Sequence, residues 1–258
     1  MKRPSAPKGP PLPLTDHCIT QLYILDFGSF NVGPGKRTIG IPGFLLHTDL
    51  GARILVDTGF DPAYATDYAA TDARDNLSGF GRLVNFTQTQ TAAGQLALLG
   101  LAPADITHLI LTHSHIDHVG SLPLFRCPIL LTAAERSLAK PVYWGDVRPI
   151  DWPDAPYTLI TRDTTVCHGL CVMPTPGHTA GHLSVVVTLP SGTVILAGDA
   201  INRQSEPAEG FADADDPATA AHSAARLFAL RSDHAATLIY GHDPDQWPTL
   251  PKAPAPYP

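Results

Sequence analysis

Charge is scarce in this chain: Asp, Glu, Lys and Arg make up 16% of its 258 residues. That leaves little for long helices laced with ion pairs. The balance is −7 with the histidines neutral, which argues against nucleic acid or an anionic membrane as partner. Cysteine is scarce too. Cys18, Cys127, Cys167 and Cys171 form no C-x-x-C pair and are too few for a disulfide framework, so a reduced, cytoplasmic setting is the expectation. Cys167 and Cys171 share one apolar stretch and are expected simply to pack. No apolar run approaches the about 18 residues that a membrane-spanning helix needs. The opening MKRPSAPKGPPLPL is basic without the apolar stretch of a secretory signal. There is no G-x-S-x-G elbow and no G-x-x-x-x-G-K-[ST] loop, which removes two common hydrolase chemistries. GPGKR at 33–37 is glycine-rich but completes no phosphate fingerprint and reads as a loop.

What is present is apolar. At 44% hydrophobic, the chain can bury one large core. Proline crowds the ends, so residues 1–16 and 251–258 are expected to be extended tails around one domain over 17–250. QLYILDF (21–27), GFLLHT (43–48) and ARILVDT (52–58) read as strands, with TDLGAR as a hairpin turn. HLILT, PILLT, LCVMP, LSVVVTL, TVILA and ATLIY continue the series, and LPSGT (189–193) is a second hairpin turn. A helix is expected from Thr87 to Leu99, stopped by Pro103, and another from Asp216-Pro217 to Leu230, packed through Ala221, Ala225, Leu227 and Leu230. Many strands with few helices fit a layered α/β or α+β sandwich.

The twelve histidines are unevenly placed. Directly after Leu109–Leu111 come His113, His115, Asp117 and His118. LCVMP runs into His178, TVILA into Asp199 and ATLIY into His242. Strand ends along one sheet edge converge, and sites collect there. In extended chain, residues two apart face the same way, so His113 and His115 can grip one ion together. A bend after His115 would aim Asp117 and His118 at a second position. Five imidazoles and two carboxylates are too many for one tetrahedral ion and suit two cations sharing a carboxylate. The donors fit zinc, with iron, manganese or cobalt as alternatives. His17, His47, His108, His168, His222 and His234 read as ordinary polar residues. His182, four after His178, lacks the Glu of the helical H-E-x-x-H motif and sits beside Gly181, so it reads as structural.

THSHIDH resembles the H-x-H-x-D-H signature of the metallo-β-lactamase superfamily, and His178, Asp199 and His242 follow in that superfamily's order. The resemblance spans about residues 20 to 246 and implies a four-layer αβ/βα sandwich with a dinuclear site at one edge. LDFGSF, ILVDTG, TPGHTAGHLS, FADADDPATAAHSAARL and GHDPDQW are similar to motifs of the N-acyl homoserine lactonases, the quorum-quenching enzymes. By that resemblance one ion is held by His113, His115 and His178, the other by Asp117, His118 and His242, and Asp199 bridges them. The implied reaction is attack of hydroxide, generated by the two cations, on a lactone carbonyl, with Asp117 shuttling a proton to the departing alkoxide. One departure stands out: Asn202 occupies the place of the tyrosine those lactonases carry three residues after the bridging aspartate. Asn202 and Ile116, which sits inside the motif, are the candidate substrate contacts. Tyr64, Tyr68 or Tyr143 could replace the missing phenol. Phe44, Phe80, Phe86, Tyr143 and Trp144 could line an acyl groove, though each alone reads more simply as core. GFGRLVNF at 79–86 could be a lid or an ordinary connection. Apolar loops could also pair two copies into a homodimer. Competing readings are a hydrolase of other lactones, such as pyridoxolactone, of aryl esters or of phosphotriesters, and a non-catalytic metal-binding module.

Overall fold

The computed structural model describes residues 14–33 and 37–258. Most of the N-terminal tail and the centre of GPGKR therefore lie outside the described residues. Twelve strands run in chain order: β1 (Ile19–Val32), β2 (Thr38–Thr48), β3 (Arg53–Val56), β4 (Gly81–Asn85), β5 (His108–Ile110), β6 (Ile129–Thr132), β7 (Tyr157–Ile160), β8 (Thr164–Cys167), β9 (Leu170–Pro174), β10 (Leu183–Leu189), β11 (Gly192–Leu196) and β12 (Thr237–Ile239). They form a seven-stranded sheet, β4-β1-β2-β3-β5-β6-β7, and a five-stranded sheet, β12-β11-β10-β9-β8. The helices are α1 (Tyr68–Asp75), α2 (Ala92–Leu98), α3 (Ile116–Val119), α4 (Ala133–Arg136) and α5 (Pro217–Asp233).

Strand alternation explains the layering. In β1, Leu25 and Phe27 belong to one core cluster while Leu22 and Ile24 belong to the next. In β5, Leu109 faces the first cluster and Ile110 the second. In β11, Val194 and Leu196 face the second and Ile195 a third, which α5 closes with Ala220, Ala224 and Leu227. Both sheets are thus apolar on two faces, as strands covered on both sides must be. The middle cluster lies between the sheets and the outer two lie under helices, which makes the four-layer αβ/βα sandwich. The hairpin turns at 48–53 and 189–193 stand where expected, joining β2 to β3 and β10 to β11.

Several expectations need correcting. The helix read from Thr87 begins at Ala92, because Thr87 caps a short 3₁₀ turn over Gln88–Gln90 and Thr91 caps the helix proper. In α5, Ala221 and Ala225 are exposed, Leu230 is half-buried, and Ala220, Ser223 and Ala224 join Leu227 on the packed face. The stretch 79–86 is no lid: Gly81–Asn85 is an edge strand paired with β1. The segment 251–258 is no free tail. Ala253 and Tyr257 donate backbone N–H groups to Ile24 and Leu22 (both 2.8 Å), and Tyr257 packs on the inter-sheet core. All four cysteines are free thiols.

Candidate metal centre

The chain changes direction at the C-terminal ends of β5, β9, β11 and β12, and each end leaves metal-capable side chains at one edge of the sandwich. His115, in extended backbone, precedes α3, so the bend expected after it is the start of a one-turn helix carrying Asp117 and His118. The donor atoms fall into two groups, each within 4.8 Å: His113, His115, His178 and Asp199, then Asp117, His118 and His242.

Asp199 connects them. Its Oδ2 lies 3.2 Å from His178 Nε2 and 3.9 Å from His113 Nε2, on the first side. Its Oδ1 lies 3.4 Å from His118 Nε2 and 3.3 Å from His242 Nε2, on the second. Asp117 Oδ2 is 3.3 Å from His242 Nε2 and 3.6 Å from His118 Nε2. His115 Nδ1 and His178 Nε2 are 3.0 Å apart.

Three of these atoms, His113 Nε2, His118 Nε2 and Asp199 Oδ1, are buried without a hydrogen-bond partner. A native core rarely leaves such groups unsatisfied. Converging lone pairs of imidazole and carboxylate are what a divalent cation would satisfy, so the residues fit the metals expected from the sequence.

The opposite nitrogens explain why the lone pairs face inward. Asp57 accepts at Oδ1 from the Thr112 backbone N–H (2.8 Å) and at Oδ2 from the Thr112 hydroxyl (2.7 Å) and from His118 Nδ1 (2.8 Å). The Thr112 hydroxyl, its proton spent on Asp57, accepts from His113 Nδ1 (3.1 Å). His242 Nδ1 donates to the Gly40 carbonyl (2.9 Å). Each contact puts the ring proton on Nδ1 and leaves Nε2 free to bind. His182 is different: Nε2 accepts from the Asp199 backbone N–H (3.0 Å) and Nδ1 meets Thr175 Oγ1 (2.9 Å), so both nitrogens are engaged and it holds Asp199 in place.

The electrostatics differ across the centre. Burial, with neighbouring imidazoles, pushes His113 and His178 well below the ordinary histidine pKa. Burial also lowers His182, to about 3. Burial opposes charge on His118 too, yet Asp117, Asp199 and Asp57 raise it well above the ordinary value. Against the same burial, Asp199 and Asp117 raise His242 to about 9. Although burial opposes its charge, Asp199 is held well below the usual carboxylate range by His242, His118 and His178.

The other candidates are placed less simply. Asn202 is buried, its Nδ2 donates to Glu206 Oε1 (3.2 Å), and its Oδ1 has no partner. Glu206, also buried, accepts the Asn202 backbone N–H as well. Ile116, expected to look into the site, is packed in the first core cluster. Phe44 and Tyr143 are core residues, whereas Phe80 is 53% exposed and stacks on Phe30. The Tyr64 hydroxyl is taken by Asp75 (3.0 Å). The six histidines read as ordinary polar residues belong to neither donor group. Sequence reasoning missed Asp57, Gly40 and Glu206 as parts of the site. The one available signal was that Asp57 ends an apolar strand, as the ligand candidates do.

Residues 43–242 match the model of the metallo-beta-lactamase superfamily. The chain is 28% identical to the N-acyl homoserine lactonase AttM of Azorhizobium caulinodans over 92% of its own length and 98% of that protein. It is 30% identical to an N-acyl homoserine lactonase of Bacillus thuringiensis, over 86% and 90% of the two lengths. Among solved structures it superposes with a TM-score of 0.79 on an N-acyl homoserine lactone hydrolase holding the product N-hexanoyl-L-homoserine at its catalytic metal centre. That likeness, at 24% identity, covers 93% of this chain and 99% of the other and is one of fold.

Proposed function

Since the chain belongs to the metallo-beta-lactamase superfamily, among its N-acyl homoserine lactonases, it is a metal-dependent hydrolase, and we propose that it opens the lactone ring of N-acyl homoserine lactones. The substrate in this reading rests on the likeness to N-acyl homoserine lactonases, and the two-cation assignment on Asp199, whose two oxygens face two separate donor groups. In this assignment His113, His115 and His178 hold one divalent cation, Asp117, His118 and His242 hold a second, and Asp199 serves both. Zinc suits the imidazole and carboxylate donors, and iron, manganese or cobalt could replace it. Bound there, the cations would make hydroxide available near neutral pH and polarise the lactone carbonyl.

The chain's own residues do the rest. In this reading Asp117, whose side chain is 15% exposed, takes the proton that the attacking water gives up and passes it to the departing alkoxide oxygen. Asn202, its amide Nδ2 donating to Glu206 Oε1, is the substrate contact we assign in place of the missing phenol. Ile116 forms the packed floor beneath the motif. We take residues 17–250 as the catalytic domain, with 251–258 packed onto it through β1. With four free thiols, and with no helix among the described residues long and apolar enough to cross a membrane, we place the enzyme in the cytoplasm.

The test is proton release from short- and long-chain N-acyl homoserine lactones, using cation-loaded protein beside His115→Ala and Asn202→Tyr. The expected outcome is turnover by the wild type, a loss of about 10³-fold or more in His115→Ala, and a changed rate in Asn202→Tyr. A wild type that holds two cations per chain and opens no such lactone would end this reading of the substrate.

A further inference from the structure

Glu135 lies in α4, outside both donor groups, and is 2% exposed. Among the described residues no Lys, Arg or His nitrogen pairs with it. Its contacts are two hydroxyls: Oε1 accepts from Ser114 Oγ, and Oε2 accepts from Thr179 Oγ1 at 3.2 Å. Both belong to residues beside ligand candidates. Ser114 separates His113 from His115, and Thr179 follows His178. Because side chains alternate in extended backbone, the two histidines face the centre while Ser114 points back onto Glu135. One carboxyl thus joins the residue between His113 and His115 to the residue after His178.

The seat of Glu135 is itself fixed. Its backbone N–H donates to Thr132 Oγ1 (3.1 Å), and the Thr132 hydroxyl donates to the Gly181 carbonyl (2.6 Å). A Cβ on Gly181 would lie 2.4 Å from the Glu135 nitrogen and 2.5 Å from Oε2, so the turn after His178 rests directly on this residue. Ser114 Oγ also accepts the Val142 N–H (3.0 Å), and its own proton therefore goes to Glu135. A buried carboxyl with only hydroxyl partners is costly, and a polar but uncharged residue could have satisfied those hydroxyls. The first donor group has three imidazoles and a single carboxylate oxygen, whereas the second has Asp117 beside its share of Asp199. Glu135 places a second carboxyl, one layer back, on the first group's side of the centre.

We propose that Glu135 is a positioning residue for the first cation: it ties the His113–His115 turn to the His178 turn, and so sets the spacing and the affinity of that group alone. This rests on the ligand assignment made above.

The test is titration of the cation-free full-length chain with Co²⁺, followed by visible absorption, which reports coordination geometry. The two binding events are assigned with His178→Ala and His242→Ala, each of which removes a donor from one group. Wild type is expected to bind two cobalt ions per chain. Glu135→Gln should weaken the first event about 10- to 100-fold and alter its spectrum, while the second event and the melting temperature of the cation-free chain stay as in wild type. Thr179→Val and Ser114→Ala, which each cut one link, should shift the same event in the same direction. These also serve if Glu135→Gln does not fold. Wild-type affinity and spectrum in all three variants would overturn the proposal and leave the ligand assignment standing. So would weakening of both events together with a lower melting temperature, which would make Glu135 merely structural. Fewer than two cobalt ions bound by wild type would overturn the ligand assignment and the proposal with it.

Discussion

The two halves of the centre share Asp199 and little else. On the first side, burial lowers the proton affinity of three imidazoles, and the carboxyl of Glu135 holds the hydroxyl residues beside them. On the second, two imidazoles lie against carboxylates that raise their proton affinity. They are aimed by acceptors from distant strands, Asp57 after β3 and Gly40 in β2. The first half is rich in imidazole nitrogens and poor in carboxylate, whereas the second sets its imidazoles against Asp117 and Asp199. Cations held as proposed would therefore have different surroundings, and so different affinities.

The most damaging change to this arrangement is at the residue both halves use. Asp199→Ala removes the side chain whose two oxygens face the two groups. Metal analysis of the purified variant should find fewer than one cation per chain, and lactone hydrolysis should fall by about 10³-fold or more. If two cations remained at full occupancy, the halves would be independent sites and the comparison would lose its hinge.

Much of this was legible in the sequence because ligand spacing is a local property. His113, His115, Asp117 and His118 fall within six residues, and His178, Asp199 and His242 each follow an apolar run that reads as a strand. The groups that aim them were not legible. Asp57 reaches His118 across 61 residues, and the Gly40 carbonyl reaches His242 across 202. A carbonyl carries no signal in the residue that bears it. Glu135 sits in a four-residue helix with no periodicity to announce it. The edge strand Gly81–Asn85 escaped because only Leu83 in it is buried, so no alternation marks it. The start of α2 was misplaced because Thr87 and Thr91 both carry capping chemistry, and a single turn of 3₁₀ helix separates them.

A smaller and one-sided effect is expected at Asp57. The residue has φ 60°, a conformation that Asn tolerates as well as any side chain other than glycine. Asp57→Asn should therefore fold. With its oxygen kept for the Thr112 backbone, the amide NH₂ would face His118 Nδ1, donor against donor. The imidazole answers by moving its proton to Nε2, the atom meant for the cation. The second binding event should weaken by about 10- to 100-fold, with the first within about twofold of wild type by the same cobalt titration. Equal weakening of both would mean that Asp57 acts on the centre as a whole.

The mildest test concerns the other anchor. A Cβ on Gly40 would fall 2.2 Å from the indole of Trp247, which lies across the strand and is itself covered by the Lys252 ammonium 4.2 Å from the ring centroid. Gly40→Ala must push the indole or the strand aside, and overpacking of this kind costs about 1–3 kcal/mol. The C-terminal segment, which pairs with β1 at Ile24 and Leu22, opposes movement of the indole. The strain should therefore shift the Gly40 carbonyl by tenths of an ångström and lengthen its bond to His242. The expected result is a lower melting temperature with only a several-fold weaker second cation, less than Asp57→Asn because the acceptor is displaced and not replaced by a donor. If Gly40→Ala instead matched Asp57→Asn in cation affinity, the indole and the C-terminal segment behind it would be part of what shapes the second half of the centre, and the asymmetry would extend from the ligands to the chain's end.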